Sequence, residues 1–178
     1  MTLSAPFQLL ASYNQWMNQK LYEAAGTLSA EAIAEDRGAF FGSILGTLNH
    51  LAVADRLWLK RFAAQPTIGA PLQAVAALPD PVGLDQTLFD SLPALSEHRR
   101  WLDEQILRWV ASLSKTDLEQ TVHYHNTQGI AHQKRLSSLL LHFFNHQTHH
   151  RGQTTTLLSQ AGVEVGVTDL LALIPEAV

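Results

Sequence analysis

Four long stretches of this chain repeat apolar side chains at helical spacing, and most of its prolines and glycines fall between them. From Pro6 to about Ala25 the spaced groups are Phe7, Leu10, Tyr13, Met17 and Leu21, with Gly26 as the stop. A second helix is predicted from Ala39 to Ala64, before Pro66, with Phe41, Leu45, Leu48, Ala52, Leu59 and Phe62 on one face. Gly46, His50, Val53 and Leu57 form a second seam on it, and a helix with two such seams belongs inside a bundle, touching more than one neighbour. The third helix spans about Leu92 to Leu113, with Leu95, Leu102, Ile106, Trp109, Val110 and Leu113 as its apolar set. The last covers about Lys134 to Ser159 and is closed by Gly162.

Between these stretches the signals change. Thr27 to Gly38 reads as a connector with one short turn at Ala30 to Ala34. In residues 65–93, Pro66, Gly69, Pro71, Pro79, Pro81 and Gly83 break every long element, leaving room for one turn at Gln73 to Ala77. A connection of that length is a crossover, a dimer element or a lid rather than a tight turn. From Thr121 to Ile130, Val122, Tyr124 and Asn126 alternate with Thr121, His123 and His125, and Gln128-Gly129 offers a turn, so a small hairpin or extended insert is predicted. The tail, with Val163, Val165, Val167, Leu170, Leu171, Leu173 and Ile174, is too apolar to hang free and is expected to pack on the body or on a partner. The fold expected is all-α: a four-helix bundle with one long crossover and a small extended or hairpin insert before the last long helix, with residues 1–178 as a single domain.

Composition narrows the function. Hydrophobic residues make up 46% and charged residues 16% of 178, so the chain has enough apolar material for a core and is not disordered. Twelve Lys and Arg against sixteen Asp and Glu give a net charge of -4, the wrong sign for a nucleic-acid footprint. There is no cysteine, which excludes disulfides, protein thiolate nucleophiles and zinc–thiolate sites. The N-terminal residues lack a basic region followed by an apolar run, and no stretch reaches 18 apolar residues, so neither a signal peptide nor a membrane span is expected. A cytoplasmic protein is the expectation.

Nine histidines are unusual at this length, and four of them, His142, His146, His149 and His150, fall in nine residues of the last helix. Histidines four apart share a helical face and can reach one ion. With His142 at zero and about 100° per residue, Leu136, Leu139, Leu140, Phe143, Leu157 and Leu158 fall roughly between 60° and 160°. His150 lands near 80° and His146 near 40° on that wheel, so this pair turns furthest toward the core, with His142 and His149 at the rim. Two imidazoles need a third ligand, another His or a carboxylate. His50 stands out because its seam is otherwise apolar or small, where a neutral imidazole needs a hydrogen-bond partner or a metal. His123, His125 and His132 lie in the irregular insert.

The zincin pattern HExxH would require Glu where this chain has Gln147, and an amide is no general base. No acid stands three before a histidine as in di-iron bundles. The site expected is therefore mononuclear and histidine-rich, suited to Lewis-acid work on a bound water, thiolate or oxyanion. Zinc, nickel and iron all accept imidazoles. Asn145 and Gln153 are candidates to orient ligands, and Arg151 reads as a packing or interface ion pair. Trp16, Trp58, Trp101, Trp109 and Tyr13 read as packing groups, of which one or two line a pocket.

The run from Leu141-His142-Phe143-Phe144-Asn145 through His146-Gln147-Thr148-His149-His150-Arg151-Gly152-Gln153 closely resembles the NHxxHHRGQ signature of the DinB-like family. Leu48-Asn49-His50-Leu51, followed by Asp55-Arg56-Leu57-Trp58, is similar to that family's first ligand segment, and Tyr13-Asn14-Gln15-Trp16 to its opening helix. The resemblance implies an up-down-down-up bundle, a homodimer, and metal ligands at His50, His146 and His150, in agreement with the wheel. Relatives of this kind include mycothiol-dependent maleylpyruvate isomerase and bacillithiol S-transferases. The expected function is thus a metal-dependent enzyme with one divalent ion, zinc or nickel with iron as a further fit, acting on a small-molecule substrate with a low-molecular-weight thiol. The alternatives are a metal-dependent small-molecule hydrolase and a non-catalytic dimeric metal-binding or stress-related protein.

Overall fold

The computed structural model describes residues 4–176. Its long helices are α1 (Ala5–Ala25), α3 (Ile44–Ala63), α5 (Leu92–Ser112) and α7 (Leu136–Gln160), with short helices α2 (Ala30–Ala34), α4 (Gln73–Ala76) and α6 (Lys115–Glu119) and a two-stranded hairpin of β1 (Thr121–His125) and β2 (Ala131–Arg135). Contacts run α1 to α5, α5 to α3, α3 to α7 and α7 to α1, which closes a four-helix ring with α1 diagonal to α3. The side-chain pairs set the directions. Asp55 meets Arg99 and Phe62 meets Trp109, so α3 and α5 run parallel; His50 meets His150 and Phe62 meets Phe143, so α3 and α7 run antiparallel. Asn14 meets Asp103 while Tyr22 lines a cavity with Arg99, so α1 opposes α5. The bundle is up-down-down-up, and parallel α3 and α5 are what make the long crossover necessary.

The apolar periodicities bury as expected. Phe62, Leu102, Ile106, Trp109, Leu136, Leu140 and Leu158 are all at or near zero exposure in one core. Burial of one such side chain contributes about 1.5–3 kcal/mol. Gly162 adopts φ +80 and ends α7: its N–H bonds the Ser159 carbonyl and that of Val163 bonds the Leu158 carbonyl, a reciprocal cap that needs a left-handed residue. Val163 and Val165 then pack on the core, and Tyr13 Oη donates to the Thr168 carbonyl at 2.5 Å. The tail thus returns to α1, although Val167, Leu171 and Ile174 stay exposed.

Two boundaries differ from the sequence reading. α3 begins at Ile44, not Ala39, because Gly38 and Gly42 adopt φ +67 and +71 and Ser43 caps the helix by accepting from the Gly46 N–H. α7 begins at Leu136, not Lys134, because Lys134 and Arg135 are still paired with Val122 and Thr121 in the hairpin. The hairpin therefore extends to residue 135, with Gly129 at φ +77 in its turn and the Asn126 side chain accepting from the Gln128 and Ile130 N–H groups. The crossover lies down on the bundle: Ile68, Leu72 and Val75 are buried, and the Asn49 side chain accepts from the Leu88 and Phe89 N–H groups and donates to the Phe89 carbonyl. Among the described residues, no helix is long and apolar enough to cross a membrane.

Candidate metal centre

His50 lies in the second turn of α3, and His146 and His150 face it from antiparallel α7. Their Nε2 atoms converge: His50 Nε2 is 3.3 Å from that of His146 and 3.3 Å from that of His150. One ligand nitrogen from each lies within 4.8 Å of the others, the one such group of three found among the described residues. His50 is buried at 4% exposure, while His146 and His150 are partly exposed.

The outer nitrogens decide the protonation. His50 Nδ1 is 2.8 Å from the Leu84 carbonyl, which can only accept, so His50 carries its hydrogen on Nδ1 and presents a bare lone pair at Nε2. His150 Nδ1 donates to Gln153 Oε1 at 2.7 Å and likewise turns an unprotonated Nε2 inward. Two lone pairs thus face each other at 3.3 Å, and a hydrogen on His146 can relieve only one of its neighbours. Burial lowers all three imidazoles below the usual histidine range, His146 to about 3 with the neighbouring imidazoles adding to the effect, so protonation is a poor remedy. A metal ion fits. With metal–nitrogen bonds of about 2.0–2.1 Å, tetrahedral ligand nitrogens stand about 3.3–3.4 Å apart.

Packing holds the imidazoles in place. The Phe41 ring stacks on His50 at 3.8 Å between centroids and 15° between planes, and meets His150 edge-on at 5.6 Å. Gly46 permits this, since a Cβ there would collide with the Phe41 carbonyl oxygen. A cavity of about 220 Å³ reaches His50 and His146 and is walled by Leu57, Trp58, Leu84 and His142. No carboxylate among the described residues lines it.

Beside the imidazoles lies a set of buried charges that the sequence reading did not single out as a unit. Asp55 of α3 accepts from Arg99 of α5 at 2.5 Å and from the Gln147 amide of α7; Arg99 also pairs with Asp103 at 2.9 Å. Asn14 and Asn18 of α1 donate to Asp103, and Arg151 donates to Asn14 Oδ1. All of these side chains are buried. Burial raises both carboxyls, with the Arg99 guanidinium pulling them back down, and lowers Arg151 to about 10. Gln147 and Arg151 follow His146 and His150 by one residue, so the same two turns of α7 present imidazoles to one side and an anchored amide and guanidinium to the other. The signal for it lay in polar side chains on faces that are otherwise apolar.

The remaining histidines and candidates separate cleanly. His142 is exposed, edge-on to Trp58 at 5.1 Å, and His149 is exposed. His123, His125 and His132 lie in the hairpin. Gln153 accepts from His150 Nδ1 and so sets that ring, whereas Asn145 is exposed and bonds none of the three imidazoles. Arg151 is a packing ion within the bundle. Of the aromatics, Trp109 is fully buried and donates to the Ile68 carbonyl at 3.0 Å, while Trp58 lines the cavity.

The family model described as the DinB family matches residues 1–177, and the chain belongs to that family. It is 28% identical over 160 residues to protein DinB of Bacillus subtilis (strain 168), covering 90% of this chain and 88% of that one. The crystal structure of a DinB-like protein from Bacillus cereus ATCC 10987 superposes with a TM-score of 0.61 at 19% identity, over 88% of this chain and 91% of the other, a likeness of fold.

Proposed function

We propose that this DinB-family chain is a mononuclear metal-dependent enzyme, with His50, His146 and His150 as ligands of one divalent ion and a low-molecular-weight thiol as reactant in an S-transfer or isomerisation. The observation that carries the reading is the convergence of three Nε2 atoms whose outer nitrogens, in His50 and His150, are committed to acceptors. Three neutral ligands leave the ion its full charge and an open position. Bound there, a divalent ion supplies Lewis acidity, lowering a thiol's pKa and holding the thiolate for attack on an electrophilic carbon. Zinc and nickel suit the imidazoles, and iron is a further fit.

The chain's own residues do the positioning. The Leu84 carbonyl and Gln153 fix the ring orientations, and Phe41 clamps His50. Leu57, Trp58 and Leu84 keep the cavity wall apolar. With no carboxylate among the described residues of that wall, the nucleophile is one that ionises at the metal itself, and a thiol, more acidic than water, does so more readily. A cytoplasmic setting, where small thiols stay reduced, and a homodimer belong to the same proposal. Exposed Val167, Leu171 and Ile174 of the tail are among the apolar positions available to a second copy, with Phe40, Val82, Ile130 and Leu141 exposed elsewhere.

The test is a conjugation assay with zinc-loaded or nickel-loaded protein, a panel of small thiols and an aryl halide. Thiol consumption above the uncatalysed rate, lost in His146→Ala and after chelation, is expected. Metal-loaded protein that leaves every thiol at the background rate would overturn the reading.

A further inference from the structure

The cavity at the imidazoles does not end there. A second one of about 820 Å³ lies between residues 80–84 of the crossover and residues 123–127 of the hairpin. The two share Leu57, Arg61, Leu84, Asn126 and Thr127 in their walls, so Arg61 stands where they meet. Three cations project from this part of α3, and two are satisfied by the crossover. Arg56 donates to the Pro79 carbonyl at 2.5 Å, and Lys60 is paired with Asp80 and the Leu78 carbonyl.

Arg61 is different. Its guanidinium lies 4.6 Å from the Trp58 ring centroid and 5.2 Å from that of Tyr124, and no carboxylate or carbonyl among the described residues takes its hydrogens. The ring faces hold the cation in place from two sides but leave its planar set of donors open toward the cavities. Asp80 is the one acid in the two linings, and Lys60 already neutralises it, so the local balance there is one positive charge. Along α3, His50 and Arg61 are about 16 Å apart at a rise of 1.5 Å per residue, and the guanidinium shortens that span by folding back over Trp58, one turn earlier.

We propose that Arg61 is the anchor for a carboxylate carried by the thiol, so that the substrate is an acidic thiol long enough to reach from the three imidazoles to the aromatic-walled guanidinium. This rests on the reading that a thiol occupies the metal. A planar guanidinium held against aromatic faces matches a carboxylate in a two-point hydrogen bond, and its partial desolvation strengthens the pair. Two-carbon mercapto acids are too short to make both contacts, so the geometry selects by length as well as by charge.

The probe pair is 8-mercaptooctanoate and 8-mercaptooctanol, titrated into cobalt(II)-loaded protein while the thiolate-to-cobalt absorption band is followed. The acid is expected to bind about tenfold tighter or better than the alcohol, the worth of a hydrogen bond to a charged group. Arg61→Met should bring the acid down to the affinity of the alcohol, Arg61→Lys should keep part of the preference, and the cobalt d–d spectrum should report an intact centre in both. Equal affinities in the wild-type protein, or a preference that survives Arg61→Met, overturn the Arg61 assignment and leave the thiol reading standing. No band from either probe overturns both.

Discussion

Two polar clusters share the interior of this bundle, and they differ in whether opposite or like groups meet in them. In the charged cluster, two carboxylates, Asp55 and Asp103, share the Arg99 guanidinium; Asn14, Asn18 and Gln147 donate to them, and Arg151 is tied in through Asn14. It draws on all four long helices and pairs its opposite charges internally, although Arg99 Nε and Gln147 Oε1 are buried without a hydrogen-bond partner. The three imidazoles are also confined by packing, yet lone pairs on His50 and His150 face each other at 3.3 Å with no hydrogen between them. A set whose opposite charges pair with one another is a fastening. A set of like donors aimed at one point is a binding site, and α7 carries both one residue apart, so the fastening holds the ligand helix in register.

The contrast breaks most severely if one partner of the closed cluster is removed. Arg99→Met leaves Asp55 and Asp103 buried without their cation and is expected to cost about 3–5 kcal/mol in urea denaturation. Adding Asp55→Leu should recover a good part of the loss. A single variant within about 0.5 kcal/mol of wild type, the usual range for surface substitutions, would show that the cluster is not a fastening.

The open cluster responds to what is added. Zinc held free at a hundred times its Kd should raise unfolding stability by about 2.7 kcal/mol, measured against chelated protein, and should leave His146→Ala unmoved. Next in size is the orienting amide: Gln153→Leu removes the acceptor from His150 Nδ1 and is expected to weaken metal affinity by about 10- to 100-fold in a competition titration. Unchanged affinity would mean that the amide does not set the ring.

The smallest effect sharpens the comparison with an imidazole outside both clusters. His98 lies between Phe89 and Trp101, its Nε2 is buried without a hydrogen-bond partner, and burial, with Arg56 and Arg99 adding, lowers its pKa to about 4. The unfolded chain therefore binds more protons between about pH 4 and 6.5, and stability attributable to this group falls as pH drops through that window. In His98→Phe the acid side of the stability profile, measured on chelated protein, should be flatter. An identical slope would assign the acid sensitivity elsewhere.

How much of this was legible follows from what each element exposes to sequence pattern. The four long helices were readable because their apolar sets bury one face at a constant period, as Leu95, Leu102, Ile106 and Trp109 do. The second strand was not, because Ala131–Arg135 is exposed at nearly every position and so has no alternation to read. The five-residue helix α6 is too short for periodicity and rests on a Ser114–Asp117 capping box. His50 was legible as a polar group in an apolar seam, and His146 and His150 by their spacing. The buried charges were illegible as a set because each of Asp55, Arg99 and Asp103 shows only as a polar group on its own helix, and only three-dimensional packing brings them together. The carbonyl of Leu84 on His50 carries no side-chain signal at all.

The central claim is a three-histidine metal site, and metal content per chain tests it most directly. Untagged wild-type protein and His50→Ala would be loaded, freed of loose metal and measured by plasma mass spectrometry, with circular dichroism to follow the fold. About one equivalent is expected in the wild type and close to none in a folded His50→Ala. Wild-type protein that retains no zinc, nickel or iron after loading, or a variant that retains as much as wild type, would contradict it.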